Sequence, residues 1–238
     1  MAGIVRLDHG QDFPPTNQAL DYPNGLLAAG GDLGPERLLA AYRRGIFPWY
    51  EAPQPVLWWT PDPRSVLFVN ELHISRSLRK TLRQDGLQLA VDQRFEEVMR
   101  ACAEPRNGVE GTWIGADMVR AYTRLHHQGH AHSIEIIDHN NRLVGGLYGI
   151  SLGGAFFGES MFSRAPSASR IALVALANIL RRGGGILIDC QVESAHMNTM
   201  GARTISRLDF EQTLAQTIEV ALDPGIWVLP ATCGDLLL

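Results

Sequence analysis

Residues 185–192 read Gly-Ile-Leu-Ile-Asp-Cys-Gln-Val, and this short segment constrains the fold more than any other. Its apolar density calls for a strand inside a sheet. Alternation then places Asp189 and Gln191 on one face and Ile188 and Cys190 on the other. A carboxylate and a carboxamide on one face of a core strand are costly unless both are hydrogen-bonded. Ionised Asp only accepts, whereas Gln donates and accepts. The pair therefore suits either a sealed sheet end or a polar relay aimed at a reacting amine, and these residues alone leave both readings open.

The chain has 238 residues with 45% hydrophobic and 19% charged content, enough for one large domain or two small ones around such a strand. The net charge of -4 means that any nucleic acid would have to meet a local basic patch. Cys102, Cys190 and Cys233 are far apart and form no Cys-x-x-Cys pair, which argues against a disulfide framework or a thiolate zinc site and fits a reducing cytoplasm. The N-terminus, with Asp8 and Asp12, does not read as a signal peptide. The apolar run from Ile171 to Leu180, broken by Asn178, is too short to span a bilayer. A cytoplasmic chain with no membrane partner is expected.

The pattern changes near Pro63. Residues 1–63 are rich in proline, glycine and aromatics and are expected to form a small N-terminal domain. Its one clear helix is Pro35–Arg44, with proline in the first turn and Gly45 as its stop. Phe47 to Tyr50 and Leu57 to Pro63 form aromatic loops, which suit either a mini-core or a stacking surface. Residues 64–238 alternate helix and strand. Helices are expected at 74–83, 95–102, 116–127 and 167–182, with a short one near 198–202. Strands are expected at 66–69, 87–91, 133–138, 143–150, 155–158 and 185–192, with one more to close.

Ile74, Leu78 and Leu82 stand four apart and form an inward stripe. Arg76, Arg79, Lys80 and Arg83 fall opposite, with no acidic residue between Ser75 and Gln84. A merely solvated face mixes signs, so this one fits a phosphate backbone. His126, His127, His130 and His132 invite a metal reading. They lack a carboxylate motif, and polar residues at a helix end are the simpler account. Glu159, in Gly158-Glu159-Ser160-Met161-Phe162-Ser163, could hold an amine or guanidinium, or simply sit near a helix start.

The element order resembles the N-acetyltransferase-like (GNAT) superfamily, which implies an α+β fold: the small N-terminal domain, then a mixed sheet flanked by helices. Acetyl-CoA users of that superfamily cradle pyrophosphate in a glycine-rich loop at a helix N-terminus. Ser163-Arg164-Ala165-Pro166-Ser167-Ala168-Ser169 stands here instead, without those glycines, so the acyl donor is expected not to be a CoA ester.

Several stretches together closely resemble the bacterial leucyl/phenylalanyl-tRNA–protein transferases. They include residues 23–33, Arg44-Gly45-Ile46-Phe47-Pro48-Trp49, residues 58–64, residues 73–77, Gly111-Thr112-Trp113-Ile114, residues 129–135, residues 158–163 and Ile188-Asp189-Cys190-Gln191-Val192. The resemblance implies transfer of Leu, Phe or Met from leucyl-, phenylalanyl- or methionyl-tRNA to the N-terminal Arg or Lys of an acceptor protein, marking it for N-degron degradation. It implies no ATP, CoA or metal, because the aminoacyl ester is already activated. By the same resemblance, Asp189 and Gln191 are the catalytic pair, with Asp189 orienting Gln191, and Glu159 helps to hold the acceptor or an amino group. Trp49, Trp113 and Tyr42 would pack around the terminal adenosine. Leu147, Phe156, Met161, Leu173, Leu176 and Ile188 would line the donor side-chain pocket. Three rivals remain: a CoA-dependent acetyltransferase, a glycosidase using Asp189 and Glu159 as paired carboxylates, and a noncatalytic tRNA-binding module.

Overall fold

The computed structural model describes residues 4–84, 86–105 and 114–237. The first third of the chain builds a four-stranded sheet of order β1-β2-β4-β3. β1 (Val5–Leu7) runs parallel to β2 (Leu26–Gly30); α1 (Pro35–Arg43) follows, and β3 (Phe47–Pro48) and β4 (Leu57–Trp59) then pair antiparallel. Sequence reasoning finds the helix, reads the β3 and β4 segments as loops and predicts neither β1 nor β2. These strands are two to five residues long, too short for an alternating pattern to emerge among the prolines.

The rest forms a seven-stranded sheet. Along the chain it contributes β5 (Arg64–Phe68), α2 (Arg76–Leu82), β6 (Leu87–Val91), α3 (Phe95–Cys102), α4 (Ala116–His127), β7 (Ala131–Asp138), β8 (Leu143–Leu152), β9 (Ala155–Ser163), α5 (Ala168–Gly183), β10 (Leu187–Gln191), α6 (Ala195–Thr199), β11 (Arg203–Ile205) and α7 (Arg207–Thr217). The strand order is β11-β5-β10-β9-β8-β7-β6. Every neighbouring pair in it is antiparallel except β9 and β10, which are parallel. This is the expected α+β mixed sheet flanked by helices.

α5 covers one face. Its side chains Leu173, Leu176 and Leu180 pack with Ile134, Leu147, Phe156 and Ile188. The other face carries Tyr148, Ile150 and Phe157, which join α1, α3, α4 and the N-terminal sheet in one continuous core. Residues before and after position 63 thus share a hydrophobic interior. α7 was absent from the sequence reading. It buries Phe210, Leu214 and Thr217 while Leu208 is exposed, a stripe too thin to announce a helix. The short helix near 198–202 lies earlier, at 195–199, where Ser194 caps it by accepting from the Met197 N–H. Among the described residues no helix is long and apolar enough to cross a membrane.

Candidate active site

The parallel pairing of β9 with β10 ends at Asp189 opposite Phe157. Beyond that point both strands are irregular. The β8–β9 register steps from Gly149 opposite Gly158 to Tyr148 opposite Ser160, which leaves Glu159 as an extra residue. The β10–β5 register steps from Asp189 opposite Val66 to Gln191 opposite Ser65, which leaves Cys190 extra. Each is a β-bulge, a device that re-aims side chains where a ladder ends. Gly149 makes room for the first, since a Cβ there would lie 2.1 Å from the Phe157 carbonyl oxygen. Gln191 adopts φ of 63°, in the left-handed region.

The second bulge interrupts the simple alternation expected of this strand, and the side chains of Asp189 and Gln191 take different partners. Asp189 is fully buried and takes both carboxylate oxygens to Arg64, which donates from Nε at 2.8 Å and from Nη2 at 2.6 Å. Its Oδ1 also accepts the backbone N–H of Gln191 at 2.9 Å. The carboxylate therefore holds the Gln191 backbone and not its carboxamide. Sequence reasoning missed Arg64, although an arginine opening a core strand was the available signal.

The Gln191 carboxamide instead reaches Glu159, with Nε2 donating to Oε1 at 2.9 Å. Glu159 also accepts from the hydroxyls of Tyr42 at 2.7 Å and Tyr122 at 3.0 Å. The two hydroxyls are bonded to each other. Burial pushes the Glu159 carboxyl up to about 7, against the lowering effect of these donors. The two hydroxyls bring two protons to three contacts: a carboxylate accepts from both tyrosines, whereas the neutral acid donates to one of them, and in either form Oε1 can accept from Gln191.

A cavity of about 700 Å³ opens beside this gap. Leu147, Phe156, Met161, Leu173, Leu176 and Ile188 form its apolar wall, and Glu159, Ser160, Asp189 and Cys190 part of its polar side. Six residues expected in the donor pocket thus come together with Glu159. Gln191 is not among the lining residues and is joined to them through Glu159. Burial raises the Cys190 thiol above its ordinary range, which disfavours the thiolate.

Other expected residues lie elsewhere. Tyr42 has no exposed surface, so its ring offers no face to an adenosine; it supports Glu159 from inside the core. Trp49 is exposed, tilted against Trp59 at 5.7 Å between ring centres, while Trp58 is wholly buried. The aromatic segment supplies both a mini-core and an exposed ring. Trp113 lies outside the described residues. Arg76, Arg79, Lys80 and Arg83 are exposed around α2, over buried Leu78 and Leu82, and among the described residues none forms an ion pair. His132 bonds Asp92 at 2.7 Å and stacks on Trp227, and His126 bonds the Ala131 carbonyl at 2.8 Å. Among the described residues no His, Cys, Asp or Glu group is arranged to hold a metal ion.

Two rivals lose ground here. Asp189 is taken up by Arg64, so it cannot act as the second free carboxylate of a glycosidase. At the start of α5, the Ala168 N–H donates to the Ala165 carbonyl and the Ser169 N–H to Ser163 Oγ, so amides that would cradle a pyrophosphate are already satisfied.

A mixed sheet that parts over a carboxylate–carboxamide pair beside an apolar cavity is an arrangement that suits an acyltransferase, with polar groups for an amine at the edge of an apolar recess. Residues 66–215 match the family model for leucyl/phenylalanyl-tRNA protein transferase, and residues 31–62 match that of its N-terminal domain. The chain is 56% identical over 207 residues to the leucyl/phenylalanyl-tRNA–protein transferase of Pseudomonas putida, covering 87% of this chain and 91% of that one. It is 58% identical over 205 residues to that of Nitrosomonas eutropha, covering 86% and 87%. The chain belongs to the leucyl/phenylalanyl-tRNA–protein transferase family, and so to the aminoacyltransferases. Among solved structures, L-PGS from Bacillus licheniformis aligns at TM-score 0.41 and 10% identity, covering 71% of this chain and 53% of that one.

Proposed function

We propose that this chain moves Leu, Phe or Met from leucyl-, phenylalanyl- or methionyl-tRNA to the N-terminal Arg or Lys of acceptor proteins, marking them for N-degron degradation in the cytoplasm. The observation that carries this reading is the Gln191–Glu159 bond at the head of an apolar cavity. Residues 64–238 would do the chemistry, with residues 1–63 presenting Trp49 to the terminal adenosine beside Trp113. The apolar wall takes a side chain unbranched at Cβ.

In the transfer, the acceptor's neutral amine attacks the ester carbonyl. The new C–N bond replaces the C–O bond, and the amine's proton ends on the departing ribose oxygen. Gln191 Nε2 is committed to Glu159, so Oε1 is the atom left to accept from the attacking N–H. Gln191 is thus the catalytic residue; Asp189 holds its backbone, and Glu159 holds its carboxamide. Arg76, Arg79, Lys80 and Arg83 contact tRNA phosphates, which position the donor without reading its sequence. Incubating the protein with labelled leucyl-tRNA and a peptide bearing N-terminal Arg tests the reading. Labelled leucyl-peptide is expected. Acetylation of that peptide from acetyl-CoA, with no leucyl transfer, would favour the CoA-dependent rival instead.

A further inference from the structure

Arg64 lies outside the cavity, yet its surroundings are specialised. Its side chain is 1% exposed and faces an Asp189 that is 0% exposed. Its guanidinium sits between two aromatic rings, 4.8 Å from the centre of Phe47 and 4.5 Å from that of Phe210. Those rings come from β3 and from α7, far apart in sequence. Phe210 reaches this position because Gly45 has no side chain: a Cβ there would stand 2.5 Å from the ring. Desolvated cation–π contacts of this kind fix a guanidinium's plane as well as its place. A buried ion pair contributes little net stability, because desolvation offsets the attraction. Its geometry, however, is passed on. Asp189 Oδ1 accepts from Arg64 Nε and from the Gln191 N–H together, at 2.8 and 2.9 Å, and Gln191 holds positive φ just there.

We propose that Arg64 is a positioning residue for the transfer step, with Phe47 and Phe210 as its clamp, acting through Asp189 on the backbone of Gln191. The N-terminal sheet and α7 are thereby coupled to the reacting centre without touching it. This rests on the role assigned to Gln191 under the proposed function. A shift of about 1 Å at a reacting group costs roughly a hundredfold in rate. Lysine at position 64 keeps the charge but not the two-pronged geometry.

The test is single-turnover leucyl transfer at saturating leucyl-tRNA by wild type, Arg64→Lys and Phe210→Leu, each also combined with Gln191→Ala. Arg64→Lys should slow transfer about a hundredfold and Phe210→Leu about tenfold, with leucyl-tRNA affinity changed less than about twofold. In the Gln191→Ala background neither change should slow transfer further, because residues acting through one group are not additive. Phe210→Leu serves where Arg64→Lys does not fold, as judged by its melt. Full transfer by a folded Phe210→Leu protein, or penalties that multiply with that of Gln191→Ala, would overturn the proposal. No transfer by the wild type would overturn the proposed function itself, a separate and recognisable outcome.

Discussion

Gln191 donates from Nε2 to Glu159 Oε1 at 2.9 Å across the gap where β9 and β10 part. Each residue sits at or beside a bulge in its own strand, so the contact exists because two ladders fail at the same level. The contact also responds to charge, since an amide N–H bonds an ionised carboxylate more strongly than a neutral carboxyl.

The transfer rate should therefore respond to the ionisation of Glu159, whose carboxyl is raised to about 7 by burial. Above that pH it is charged and holds the carboxamide by a charge-assisted bond; below, it is protonated and the bond is a weaker, neutral one. The acceptor amine titrates nearby, so the useful quantity is the ratio of wild-type rate to Glu159→Gln rate, in which the amine's own ionisation cancels. That ratio should climb as pH rises through about 7. A flat ratio from pH 5 to 9 would remove Glu159's charge from the mechanism.

Stability should separate Asp189 from Gln191. Asp189→Ala strands Arg64 without its counter-charge in a fully buried site, which costs about 3–5 kcal/mol. Gln191→Ala leaves that pair intact and should cost under about 1 kcal/mol, the scale of one hydrogen bond. Denaturant unfolding of both variants checks the contrast, and equal losses would contradict the assignment of Asp189 to Arg64.

Glu135 makes a different pH prediction. It is buried, accepts from Ser133 Oγ at 2.5 Å, and is also pushed up to about 7 by burial. A carboxyl with a higher pKa in the folded protein than in the unfolded chain favours folding at low pH. That contribution is complete below about 4.5 and is lost as pH rises through about 7. Glu135→Gln should accordingly melt higher relative to wild type at pH 8 than at pH 5, with leucyl transfer little changed, since Glu135 does not line the cavity. A melting difference independent of pH would show that the carboxyl does not titrate there.

Much of this was legible in the sequence, for identifiable reasons. Elements with one clear period, such as β6, α3 and α4, fall where their patterns place them. The cavity wall was legible through the family resemblance, because Leu147, Phe156 and Ile188 lie on regular strands facing α5. What was hidden is what breaks period. No alternation rule foresees the extra residues Glu159 and Cys190, and so the split between Asp189 and Gln191 could not be read. Arg64 stands 125 positions from Asp189, and a long-range pair leaves no local trace. The resemblance implies Tyr42 against the terminal adenosine, and a helical tyrosine looks alike from sequence whether it faces a ligand or a buried carboxylate.

Charge reversal on α2 tests the proposed RNA surface. Arg76→Glu with Arg83→Glu should raise the apparent Michaelis constant for every aminoacyl-tRNA alike and flatten the salt dependence of binding by about one unit per lost phosphate contact. Transfer from aminoacyl-adenosine, which lacks the stem, should stay nearly unchanged. Both residues are exposed and Leu78 and Leu82 carry the packing, so the fold should survive. Unchanged affinity and salt slope would make this helix an ordinary solvated face.

The central claim is that Gln191 acts on the reacting amine and not on the binding of the donor. Single-turnover transfer from saturating labelled leucyl-tRNA to an N-terminal Arg peptide, compared between wild type and Gln191→Ala, measures this directly. The account predicts a rate lower by about a hundredfold or more, with leucyl-tRNA affinity and the melting curve close to wild type. Near-normal transfer by Gln191→Ala would contradict it.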